Sequence, residues 1–190
     1  MAKKFWFGML TMALVFGMAV TGCGTTGTGA QQLEDPLLNG RWIDEEGYEF
    51  RFSNGAWEIW YALGPLMRGT YTARDGSTIT LITTHLHSNL IAVAFEEEFG
   101  FPFDLDPAWH SKDEIIPAMV AAIMPVFIEE EGPFTPEEIA ELYEEFHVEL
   151  AEYFGDGLSE MFMSFTETYT VSGNVLTMTF DGDTMTLTRM

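Results

Sequence analysis

Two imidazoles two residues apart carry the most suggestive chemical spacing in the chain. In Thr84-His85-Leu86-His87 an extended backbone would point His85 and His87 to the same side. Together they could supply half of a tetrahedral zinc shell, with His110, His147 or a carboxylate completing it. Two ligands are not a site, however, and the same spacing fits a pair of hydrogen-bonded histidines at a strand end. Glu144 and His147 match half of a di-iron helix motif whose chemistry needs two copies, and only one is present. There is no Gly-x-Ser-x-Gly elbow, no His-Glu-x-x-His and no glycine-rich phosphate loop. Thirty Asp and Glu residues make close carboxylate pairs a matter of chance, so no glycosidase-type pair stands out. The acidic runs at 96–98 and 129–131 lack the alternating oxygen ligands and glycine of a calcium loop and read as solvated faces. The expectation is a protein that is not an enzyme.

The one cysteine, Cys23, has a more specific setting. Lys3 and Lys4 precede an uncharged apolar run over residues 5–20, and Val20-Thr21-Gly22 leads into Cys23. Basic residues hold such a start at the inner membrane face, the apolar run partitions into the bilayer, and small residues open the backbone to a peptidase. The run is shorter than the roughly 20 residues a membrane span needs. This segment resembles the lipobox of bacterial lipoproteins. The resemblance implies a signal peptide over 1–22 and a covalent lipid on Cys23, with no other cofactor, anchoring the chain to a membrane of the cell envelope. The outer membrane is the favoured one. Two or three acyl chains, at about 0.8 kcal/mol per buried methylene, make such an anchor effectively permanent. Residues 23–36 then read as a flexible tether of small and polar residues.

Charge narrows the partners. From Cys23 onward the chain has 6 basic and 30 acidic residues, a balance that disfavours nucleic acid and electrostatic docking on anionic lipid. With no second cysteine to form a disulfide, stability must come from a core; the chain is 47% apolar, enough for one, and residues 37–190 read as one domain.

Three blocks make up that domain. Tyr48, Phe50 and Phe52 alternate with Glu49 and Arg51 at the period of a strand; Asn54-Gly55 supplies a hairpin turn, and Trp57, Ile59 and Tyr61 share the next inner face. Further strands cover 67–74 and, after Asp75-Gly76, Ile79, Leu81 and Thr83. Over about 96–156 the pattern turns helical. Ser111 with Glu114, and Thr135 with Glu138, are capping boxes, and Pro136 suits a first helical turn. The first helix, over residues 115–128, is uncharged, contains Pro117 and Pro125 and should bend there. Its stripe is Ile116, Met119, Val120, Ile123 and Phe127. The second is amphipathic and should end at Gly155. Residues 161–189 return to strands around turns at Ser172-Gly173-Asn174 and Asp181-Gly182-Asp183. The expected fold is mainly β: an eight-stranded antiparallel up-and-down barrel with two helices inserted between its fifth and sixth strands.

Gly40-Arg41-Trp42 opens the first strand and Arg189 closes the last. This pair resembles the lipocalin-like, or calycin, family, in which a Gly-x-Trp is answered by an arginine packed across the indole. The resemblance implies that Trp42 and Arg189 form the barrel floor, a contact of about 0.5–2 kcal/mol. It covers the two β blocks and not the helical one. An eight-stranded interior can be filled by side chains or can hold one small ligand, and composition leaves both open. The lining of such an apolar site would be Phe50, Phe52, Trp57, Ile59, Tyr61, Tyr71, Leu81, Met178 and Phe180, with Met119 and Phe127 from the helix. Three functions therefore stand: a lipid-anchored binder of a small apolar ligand, an envelope interaction protein with a filled barrel and an unnamed protein partner, or a metal binder using His85 and His87.

Overall fold

The structure, a computed structural model, describes residues 35–62, 64–74, 76–99, 105–180 and 182–190, with only the backbone over 96–99. The export signal, Cys23 and the tether up to residue 34 lie outside the described residues, as do Asp75 and Asp181 of two expected turns.

Alternating apolar residues produce β1 (Gly40–Ile43), β2 (Glu49–Ser53), β3 (Ala56–Tyr61), β4 (Gly64–Arg74) and β5 (Thr78–His87). A helical insertion follows, comprising α1 (Ser88–Phe99), a two-residue strand β6 (Trp109–His110), α2 (Lys112–Glu131) and α3 (Pro136–Met161). The chain then adds β7 (Ser164–Ser172), β8 (Val175–Phe180) and β9 (Asp183–Arg189). Every pairing is antiparallel, in the order β1-β2-β3-β4-β5-β7-β8-β9 and back to β1, so eight strands close a barrel. Closure leaves no open edge, and β6 merely extends the end of β5.

Turn chemistry fixes the register. Asn54 and Gly55 hold φ of 50° and 74°, the left-handed pair that matches strand twist in a two-residue hairpin, and Ser53 pairs with Ala56 across it. Gly69 has a different reason. A Cβ there would stand 1.9 Å from the Ile82 carbonyl oxygen and 2.7 Å from Trp57 Nε1, so bare backbone is required where the indole crosses the sheet. A bulge between Arg68 and Gly69 shifts the facing of β5 by one residue, leaving Thr83 and Leu86 buried.

Antiparallel connectivity also sorts the connections into two ends. The β2–β3, β4–β5 and β7–β8 hairpins lie at the end where β1 starts and β9 finishes, which is the floor. The β1–β2, β3–β4 and β8–β9 turns lie at the other end, together with the whole insertion.

The helices depart from the sequence expectation in extent. The insertion begins at Ser88, not near 96, because a third helix, α1, leaves β5 directly and buries Leu90, Ile91 and Phe95. Its first eight residues are uncharged and look like strand continuation until a start signal is found, and that signal is His87: its Nδ1 accepts the Asn89 backbone N–H at 3.2 Å, as a helix cap does. Gly155 does not end α3, which runs on to Met161 because Leu158 and Met161 pack on the core. Such packing outweighs the roughly 1 kcal/mol that a mid-helix glycine costs. The capping boxes form as expected: Glu114 accepts the Ser111 N–H at 2.8 Å, and Glu138 accepts the Thr135 N–H at 2.7 Å. α2 is continuous through Pro117 and Pro125. The carbonyls those prolines orphan belong to Asp113 and Ala121, both at exposed positions where water can satisfy them. Among the described residues no helix is long and apolar enough to cross a membrane.

Candidate functional site

The inner face of the barrel gathers the expected lining, and its two ends differ. At the floor Arg189 Cζ lies 4.4 Å from the Trp42 ring centroid, and the two residues are register partners on β1 and β9. The Trp42 indole donates to the Leu38 carbonyl at 2.7 Å, and Arg189 donates to the Leu37 carbonyl. Segment 35–39 thus lies under the floor. Two tyrosines reach down to it: Tyr71 Oη donates to Asn39 Oδ1 at 3.1 Å and Tyr169 Oη to Asp35 Oδ2 at 2.6 Å. Burial, reinforced by the Asp35 carboxylate, pushes the Tyr169 hydroxyl pKa up, so that it stays a donor. Around them Trp42, Ile79, Leu176, Met178 and Leu187 are 0% exposed.

Toward the helix-bearing end the inner face loosens. Phe50, Trp57, Ile59 and Leu81 are buried along the wall, Phe50 facing Trp42 and Trp57 facing Phe52 across neighbouring strands. Tyr61, half-buried, stacks on Tyr48 with ring centroids 4.4 Å apart, and Tyr48 is pushed up to about 12, chiefly by burial. Phe180 is half-buried as well. Phe52 and Tyr71 pack edge to face at 5.3 Å on the floor side. Of the expected lining, Phe50, Phe52, Trp57, Ile59, Tyr71, Leu81 and Met178 are buried as foreseen. The helical contributions differ. Met119 is buried in α2, which packs on β5, β6 and α3, but Phe127 turns instead to Phe134 (5.9 Å) and Phe146 (5.1 Å), between the helices. Met124, not singled out by the apolar stripe, is 0% exposed. In a segment with no polar residue to mark its outer side, periodicity alone does not show which stripe faces inward.

Two polar groups on the inner face were not among the expected site residues. Thr83 follows Ile79 and Leu81 in the alternation and is 4% exposed, with no hydrogen-bond partner for Oγ1 among the described residues. Glu167 pairs with Ile79, which puts a carboxylate on the inner side of β7. Both were legible as polar residues at inward positions of an alternating strand.

His85 and His87 serve the junction between barrel and insertion. His87 packs edge to face on Trp109 at 5.0 Å, and Arg68 Cζ lies 4.6 Å from the same indole centroid. Ser88 Oγ donates to the Asp106 carbonyl at 2.7 Å and stands 3.2 Å from His110 Nε2. His85 Nδ1 is 3.0 Å from Thr84 Oγ1. Burial is the first cause that lowers the pKa of both histidines. His110 and Arg68 add to it at His87, and at His85 Arg68 adds to it while Glu114 opposes. Among the described residues no group of three or more His, Cys, Asp or Glu side chains is placed to hold a metal ion.

Comparison with protein-family models, with curated proteins and with solved structures found no match for this chain.

Proposed function

We propose that this chain is a lipid-anchored protein of the cell envelope, not an enzyme, whose barrel takes up a small apolar ligand from the helix-bearing end. The observation that carries the ligand reading is the change along the inner face, from 0% exposure at Met178 and Leu187 to the half-buried Tyr61 and Phe180 at the helix-bearing end. Aromatic and aliphatic side chains that stay reachable inside a closed barrel are what an apolar ligand site requires. The Trp42–Arg189 contact is in keeping with the lipocalin-like resemblance. Residue 35 joins the fold at the floor, so a lipid on Cys23 would direct the floor toward the membrane and the insertion away from it.

A second reading, an interaction protein with a filled barrel, is favoured by the closely packed floor half. The two separate in one experiment. The full chain in phosphatidylcholine nanodiscs is titrated with the fluorophore N-phenyl-1-naphthylamine, using protein-free discs as the blank. Saturable emission gain that Leu81→Trp abolishes by filling the space supports the ligand reading, and no gain over the blank overturns it. For the anchor, mass spectrometry of protein made in a bacterial host should find Cys23 acylated and N-terminal, and Cys23→Ala should leave the signal uncleaved. An unmodified cysteine would end that reading.

A further inference from the structure

We propose that the ligand is an amphiphile with one non-anionic hydrogen-bonding head, of the long-chain alcohol or amine class, and that the Thr83 hydroxyl receives that head; this rests on the ligand reading above. Among the described residues Thr83 is the buried inner-face residue whose hydroxyl has no partner. Tyr71 is bonded to Asn39, Tyr169 to Asp35, and the Trp42 and Trp57 indoles donate to the Leu38 and Thr70 carbonyls. Thr83 Oγ1 has no partner among the described residues although the residue is 4% exposed, and a buried hydroxyl without a partner is costly to keep.

Its surroundings suit an alkyl chain with a small head. Trp57, Gly69 and Thr83 are register partners across β3, β4 and β5, so the hydroxyl shares one wall with the indole that covers the Gly69 backbone.

Charge selects the head. The basic residues of the fold are engaged elsewhere. Arg41 and Arg51 hold Glu49, Arg68 lies over Trp109, Lys112 donates to Ser159, Arg189 covers Trp42 at the floor, and Arg74 is exposed at the floor end of β4. Among the described residues no cation is left free beside Thr83 for a carboxylate head: Arg68, next to its register partner Gly69, lies over Trp109. Glu167 faces the interior, and the sequence of the insertion, residues 88–163, carries 19 acidic residues against the single basic Lys112. A carboxylate would enter against that field, whereas an alcohol is indifferent to it and an ammonium is drawn in.

The test displaces N-phenyl-1-naphthylamine from the full chain in phosphatidylcholine nanodiscs with 1-dodecanol, dodecylamine or sodium dodecanoate at pH 7.5 and low salt. Dodecanol and dodecylamine should displace it at least tenfold more effectively than dodecanoate. Thr83→Val, which keeps the shape and removes the hydroxyl, should weaken dodecanol about fivefold, the worth of one hydrogen bond, and should weaken the bulkier naphthylamine much less. Thr83→Ser should restore dodecanol binding. If the naphthylamine binds but dodecanoate competes as well as dodecanol, or Thr83→Val weakens all three equally, the head-group inference is overturned and the ligand reading survives. If the naphthylamine does not bind, both fall.

Discussion

The two ends of the barrel are closed by different means. At the floor a tryptophan, an arginine and two tyrosines are bonded to segment 35–39, and the apolar residues above them are fully buried. At the other end α1 and α2 pack on β4, β5 and β6, while α3 lies outside them, with Leu150 the one buried residue among its 26. The floor joins strands 147 residues apart in the chain, Trp42 to Arg189, and holds the ring shut. The insertion hangs from one strand end and one short strand, β6. Global stability should therefore be concentrated at the floor, and opening motions at the insertion.

That contrast can be broken from either side. Trp42→Ala removes the fully buried indole and strips Arg189 of its partner. It should destabilise the whole domain by roughly 3–5 kcal/mol, read by urea denaturation as a single transition at lower midpoint. A loss under 1 kcal/mol would mean that the floor does not hold the barrel shut. Met124→Ala should cost about 2–3 kcal/mol, with the loss appearing first as faster amide exchange in α2 and α3 while β1 and β9 stay protected. Uniform loss of protection would erase the distinction between the ends.

Gly155→Ala tests whether α3 continues past its expected stop. Nothing lies within 4 Å of a Cβ at that position, so alanine should stabilise the domain by about 0.5–1 kcal/mol. A decrease would place Gly155 outside the helix.

The smallest effect should come from pH. His87 accepts the Asn89 N–H through Nδ1, which requires a neutral ring, and both His85 and His87 have pKa values below the ordinary 6.5. The unfolded chain then binds more protons than the folded one, so stability is level above about pH 6.5 and falls as pH drops below it. Arg68 and His110 oppose an added proton at His87. At His85 Arg68 opposes it and Glu114 favours it. Acidification from pH 7.5 to 5 should speed amide exchange at the start of α1 before it affects the floor. His87→Asn, which keeps a capping acceptor, should flatten part of that response, and an unchanged pH profile would show that the junction is not governed by His87.

What the sequence determined by itself was everything set by neighbours a few residues apart. Alternation at Tyr48, Phe50 and Phe52 made a strand, Asn54-Gly55 a hairpin, and Ser111 with Glu114 a helix start, because these depend on backbone dihedrals and local hydrogen bonds. The barrel followed from counting such strands, and the floor from the resemblance at Trp42 and Arg189. Only the tertiary structure decided matters in which a local preference competes with a distant contact. Gly155 stays helical because Leu158 and Met161 find the core, and Phe127 leaves the barrel for Phe134 and Phe146. His87 becomes the cap of α1 when Trp109 and Arg68 arrive from other strands. Thr83 is the clearest case. Alternation puts it on the inner face, but whether its hydroxyl is satisfied depends on what the other strands bring to it, and among the described residues they bring it no partner.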